Sequence, residues 1–82
     1  MARYVSQKNP ITASALKRRP LGNVVVHHWN SGEVKFTRVN GGWLCEREDS
    51  VWVSPAEVVS SAVVADECNK AVGCKESWAR VY

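Results

Sequence analysis

The stretch EVKFTRVNGGWLCERE, residues 33–48, decides the fold. It consists of two segments of alternating polarity separated by Asn40-Gly41, and that dipeptide is the strongest short hairpin signal because tight two-residue turns need backbone angles that asparagine and glycine tolerate. A two-residue turn there sets Arg38 opposite Trp43, Thr37 opposite Leu44, Phe36 opposite Cys45 and Lys35 opposite Glu46. The register gives a cation–π pair and an opposite-charge pair across the strands. Side chains alternate along a strand, so Val34, Phe36, Trp43 and Cys45 share an apolar face, and Lys35, Thr37, Glu46 and Glu48 share a solvent face.

Upstream, NVVVHHW (residues 23–29) is rich in β-branched and aromatic residues and is followed by Asn30-Ser31-Gly32. A three-residue loop there sets Val24 and Val26 on the apolar face, whereas a two-residue turn sets Val25, His27 and Trp29 there; we expect the former. Downstream, Asp49-Ser50 precedes VWV (residues 51–53). The expectation is α+β: a four-stranded antiparallel meander over residues 23–54, packed by one carboxy-terminal helix. A small closed SH3-like barrel with a terminal helix is the alternative.

Ser54-Pro55-Ala56-Glu57 combines a serine N-cap, a proline at the first helical position and a glutamate at the third, which predicts a helix over residues 55–72 ending at Gly73. Val58, Ala62, Ala65 and Val72 recur at helical spacing, widened by Val59 and Val63. Val59 and Val64 then fall on nearly opposite sides, so the helix needs two apolar neighbours. The sheet supplies one. The other is the amino-terminal segment, through Ile11 and Leu16, or a second copy in a homodimer.

Residues 1–20 read as a basic amino-terminal arm, and residues 21–82 as a single α+β domain. The arm carries Arg3, Lys8, Lys17, Arg18 and Arg19 with no acid, while the rest has six basic and eight acidic side chains. Attraction to a polyanion therefore belongs to those five residues. Asn9-Pro10 is a helix-start signal, and ITASALKRR can form a short helix with its cations at the favourable carboxy end.

A chain of 82 residues buries roughly 60 per cent of its unfolded surface, enough for one thin core but little for a deep catalytic cavity. With 45% hydrophobic and 23% charged residues the composition is that of a globular chain, and no apolar run has membrane-spanning length. Three cysteines, an odd number, and no apolar leader behind the first basic residues fit a reducing cytoplasm. His27, His28, Cys45, Cys68 and Cys74 lack the paired spacing of a metal site. Cys45 with either histidine has no third group to orient it as a catalytic pair. Gly41-Gly42 belongs to the hairpin, and no phosphate-binding glycine motif is present. The expectation is therefore a non-enzyme without metal or cofactor. Four tryptophans exceed what a thin, one-sided core hides, so Trp29, Trp43, Trp52 and Trp78, with Val59 and Val64, are the candidates for contact with a protein partner.

The string from Val24 to Val53, with a strand ending in Trp29, then Asn30-Ser31-Gly32, a strand ending at Val39, Gly41-Gly42-Trp43 and a closing strand with Trp52, resembles small β-rich proteins of unknown function from actinobacterial bacteriophages. The resemblance covers about 30 residues and implies a phage product that acts by binding on a host protein, as a modulator, or on a phage protein, in the bacterial cytoplasm. It implies no catalytic residue. Two functions follow as expectations: a non-enzymatic protein-interaction module, and a small nucleic-acid-binding accessory protein that uses the basic arm.

Overall fold

A computed structural model describes residues 3–29, 32–49, 56–72 and 77–82. The elements are β1 (Arg3–Tyr4), α1 (Ala13–Lys17), β2 (Val24–Trp29), β3 (Gly32–Val39), β4 (Gly42–Asp49), β5 (Glu57–Val59), α2 (Ser61–Ala71) and β6 (Trp78–Val81). The strands form one antiparallel sheet in the order β1-β6-β2-β3-β4-β5. The class is α+β with one main helix, as the sequence predicts. The expected sheet lacked both flanks of the observed one.

The β3–β4 hairpin has the predicted register throughout, from Val39 opposite Gly42 to Lys35 opposite Glu46. Gly41 supplies the positive φ of +89° that the turn demands. Gly42 is needed for a different reason: a β-carbon there would stand 2.6 Å from the Val59 carbonyl oxygen. Glycine lets β5 close onto the start of β4, where Trp43 pairs with Val59 and Leu44 with Val58.

The first hairpin corrects the preferred register. Trp29 pairs with Gly32, and Val25 with Phe36, so two residues rather than three separate the strands. Val25 is therefore buried, with His27 and Trp29 on the covered face, while Val24 and Val26 lie on the other. Gly32 joins the ladder instead of the turn, which adds a pair to the hairpin and aligns Val25 with the buried Phe36.

The helix start also departs from expectation. Glu57–Val59 is a strand, and α2 begins at Ser61, with the Ser60 hydroxyl accepting from the Val63 N–H at 3.3 Å. Ser54 and Pro55 lie outside the described residues, as do Trp52 and the expected strand at 51–53. Pairing with β4 and packing of Val59 against the core outweigh the local capping signal. The buried side chains of α2 are Ser61, Val64, Ala65, Cys68 and Ala71, an i, i+3, i+4 pattern rotated away from the predicted stripe. Ala62 and Val63 are exposed. Val58 and Val59 belong to a strand, so the surplus of apolar helix positions disappears.

α2 packs on β2, β4 and β6, and α1 packs on α2. Thr12, not Asn9, caps α1 by accepting from the Ala15 N–H at 3.1 Å. The later start leaves Ile11 ahead of the helix, where its N–H donates to Asn69 Oδ1 at 3.0 Å and its carbonyl accepts from Asn69 Nδ2 at 2.8 Å. Val5, Ile11 and Leu16 are thereby buried in the same core as Val25, Phe36 and Trp43. Both helices lie on one side of the sheet. The other side has no covering element among the described residues.

Candidate functional site

The uncovered face is built by strand alternation. Its three cross-strand rows are Trp78, His28, Glu33 and Glu48; then Tyr4, Arg80, Val26, Lys35 and Glu46; then Tyr82, Val24, Thr37, Leu44 and Val58. Tyr82 joins its row through its N–H, which donates to the Val24 carbonyl at 2.9 Å. Among the described residues, the β1, β6 and β2 half holds the four aromatic side chains of this face, Tyr4, His28, Trp78 and Tyr82, and no acidic side chain. Glu33, Glu46 and Glu48 stand on the β3–β4 half.

On the aromatic half the rings pack on one another. Trp78 stacks on His28 with centroids 5.0 Å apart and planes 7° from parallel, and Tyr4 meets Trp78 edge-on at 5.9 Å. Arg80 lies between two tyrosines, 5.0 Å from the Tyr4 centroid and 4.8 Å from that of Tyr82. No described carboxylate pairs with Arg80, and its Nε has no hydrogen-bond partner among the described residues. Tyr4 and Tyr82 remain 57% and 44% exposed. The cluster is ordered by its own contacts and still faces solvent.

The sequence candidates separate. Trp43 is fully buried, and its Nε1 donates to Ser61 Oγ at 3.1 Å. Val64 is also fully buried, so both act in the core and not at a surface. Trp29 and Val59 are half-buried against that core. Trp78 is in β6 on the uncovered face, paired with His28. Among the basic candidates, Lys8, Lys17 and Arg18 are exposed, and Arg3 contributes backbone to β1. Arg19 is held by Asn23 Oδ1 at 2.9 Å and by the Tyr82 main-chain oxygen at 3.0 Å. Sequence reading missed Tyr4, His28, Arg80 and Tyr82. The signal for three members was the alternation of Trp78, Arg80 and Tyr82 around small apolar residues, a strand pattern at the chain end.

On the covered side, Glu67 of α2 accepts from Arg47 at 2.5 Å and meets His27 Nδ1 at 3.3 Å. These hydrogen bonds, that from His27 foremost, hold the Glu67 carboxyl below the usual carboxylate range against the opposing effect of burial. The bond to Glu67 in turn raises Arg47. An open groove beside the trio is lined by His27, Ala62, Val63, Asp66, Glu67 and Lys70. Burial pushes the Cys45 thiol up and that of Cys68 to about 12, so both stay protonated at neutral pH and neither is an activated nucleophile. The trio ties α2 to β2 and β4. Among the described residues no three His, Cys, Asp or Glu side chains converge as a metal site, and no helix is long and apolar enough to cross a membrane. Cys74 lies outside the described residues.

Comparison of the chain with family models, with curated proteins and with solved structures finds no match.

Proposed function

We propose that this chain is a non-enzymatic protein-interaction module whose contact surface is the uncovered sheet face, centred on Tyr4, His28, Trp78, Arg80 and Tyr82. The observation that carries the reading is the Arg80 guanidinium set between two exposed tyrosines beside the Trp78–His28 stack. Tryptophan, tyrosine and arginine are the residues that dominate binding energy at protein interfaces. Side chains already held by one another lose little rotamer freedom on association. The same packing favours the nucleic-acid alternative less, because His28 already takes one face of Trp78 and Arg80 one face of each tyrosine, which leaves fewer ring faces open to base stacking. The basic arm supports that alternative less than its charge suggests, since Arg19 already serves the fold.

The resemblance of residues 24–53 to bacteriophage products implies a modulator of a host protein in the bacterial cytoplasm; the surface chemistry supports the protein-contact part of that reading. The test is co-purification from nuclease-treated bacterial extract. Polypeptides retained by the wild-type chain, further copies of itself included, are lost with Trp78→Ala/Arg80→Ala and kept with Asp66→Ala on the outer side of α2. Equal retention by both variants, or retention abolished by nuclease, overturns the reading.

A further inference from the structure

We propose that the occupant of the uncovered face is a second copy of this chain, packed face to face about a two-fold axis that runs parallel to the strands between β2 and β3. The inference rests on the protein-contact reading of this face and adds the identity of the partner. Its basis is the strand order. Such an axis exchanges β2 with β3, β6 with β4 and β1 with β5, and it keeps each cross-strand row on itself. The aromatic, carboxylate-free half of one copy therefore meets the acidic half of the other.

The row register makes the contact specific. Arg80 of β6 and Glu46 of β4 occupy the same row at equal distances from the axis, so each Arg80 comes opposite Glu46 of the second copy. By the same operation His28 meets Glu33, Trp78 meets Glu48, and Tyr82 meets Leu44. Lys35 meets Val26, which its methylene stem can cover. Every contact occurs twice, as an isologous interface requires. Arg80, which has no described carboxylate partner within its own chain, acquires one. Val58, 59% exposed at the sheet edge, lies at the rim of the covered area.

The area is sufficient for a modest affinity. Six strands about 4.8 Å apart and about five residues long give a flat footprint of roughly 500 Å² per copy. The pair therefore buries roughly 1,000 Å² before side-chain relief is added, the lower limit for specific complexes. A dissociation constant on the order of 10 μM is expected.

The experiment is sedimentation velocity of the full chain from about 1 to 200 μM, a range that brackets that constant. The wild type passes from monomer to dimer. Arg80→Glu and Glu46→Arg each set like charges together twice and weaken association by at least about tenfold. An equimolar mixture of the two variants dimerises again, because in the mixed pair both contacts join opposite charges. Should Arg80→Glu unfold the chain, His28→Glu serves in its place: it sets two carboxylates together in the neighbouring row and weakens association, and mixing it with Glu33→Lys restores the dimer. A wild type that stays monomeric throughout, or a mixture that does not recover, overturns the inference. If the monomer still captures a different polypeptide through Trp78 and Arg80, the face belongs to that protein. If the monomer instead binds a single-stranded oligonucleotide with steep salt dependence that Arg80→Glu removes, the face belongs to nucleic acid. Capture that ignores both residues refutes the protein-contact reading itself.

Discussion

The Trp78 indole and the His28 imidazole face each other across β6 and β2, 5.0 Å apart and 7° from parallel, on the side of the sheet that no described helix covers. A cross-strand pair of this kind adds a few tenths to about 1 kcal/mol, and half-buried Trp78 has little cavity to leave. Trp78→Ala is expected to cost about 1 kcal/mol in thermal or urea unfolding. Trp43→Ala removes a fully buried indole and its bond to Ser61, and is expected to cost about 3 to 5 kcal/mol. Equal losses would make Trp78 a core residue and remove the centre of the proposed contact surface.

Gly42→Ala tests the close approach of β5. The added methyl would stand 2.6 Å from the Val59 carbonyl oxygen and 2.9 Å from Val58 Cγ1, so backbone must move. The expected cost is about 2 kcal/mol, with amide exchange at Glu57–Val59 rising before that of the β3–β4 hairpin. Gly41→Ala meets nothing within 4 Å and is strained only through its positive φ, so it should leave β5 protected. A β5 that stays protected in Gly42→Ala would contradict the observed packing.

For the main helix, Ser60→Ala removes the side-chain bond to the Val63 N–H and is expected to destabilise the chain by about 1 kcal/mol. Chemical denaturation of Ser60→Ala reads this directly. A neutral substitution would mean that α2 starts elsewhere.

Glu67 gives a pH prediction whose sign follows from its lowered pKa. A carboxyl that is more acidic folded than unfolded stabilises the fold above its ordinary value of about 4.3, and loses that contribution as pH falls through the folded value. Glu67→Gln should therefore cost about 1 kcal/mol at neutral pH, a figure already reduced for solvent screening at half-exposed Arg47. The difference from wild type should shrink below about pH 4. A pH-independent difference would show that Glu67 acts by packing alone.

The β3–β4 hairpin was legible because the turn chemistry of Asn40-Gly41 and the period-two polarity of both strands agree, leaving one register that buries Phe36, Trp43 and Cys45. Asn30-Ser31-Gly32 fits two loop lengths, and only the pairing of Val25 with Phe36 chooses between them. Ser54-Pro55-Ala56-Glu57 is a complete local helix signal, yet Glu57 is in a strand, because β4 offers Glu57–Val59 a ladder and Trp43 a neighbour for Val59. Long-range partners of that kind leave no trace in a local motif. The amino- and carboxy-terminal segments illustrate the same limit: the pairing of Tyr4 with Arg80 joins residues from opposite ends of the sequence. Composition pointed to exposed aromatics, but their place depended on this pairing. Trp43 and Trp78 have the same side chain, and the side of the sheet on which each falls separates core from surface.

The central claim, that the uncovered sheet face is where this chain meets another polypeptide, is tested most directly by site-specific photo-crosslinking in the full-length protein. A photoreactive side chain in place of Lys35, at the middle of that face, is compared with one in place of Asp66 on the outer side of α2. The account predicts protein adducts from the Lys35 position that fall away when Trp78→Ala and Arg80→Ala are added, with none above background from the Asp66 position. Adducts confined to the Asp66 position, or adducts at Lys35 that persist without Trp78 and Arg80, would contradict it.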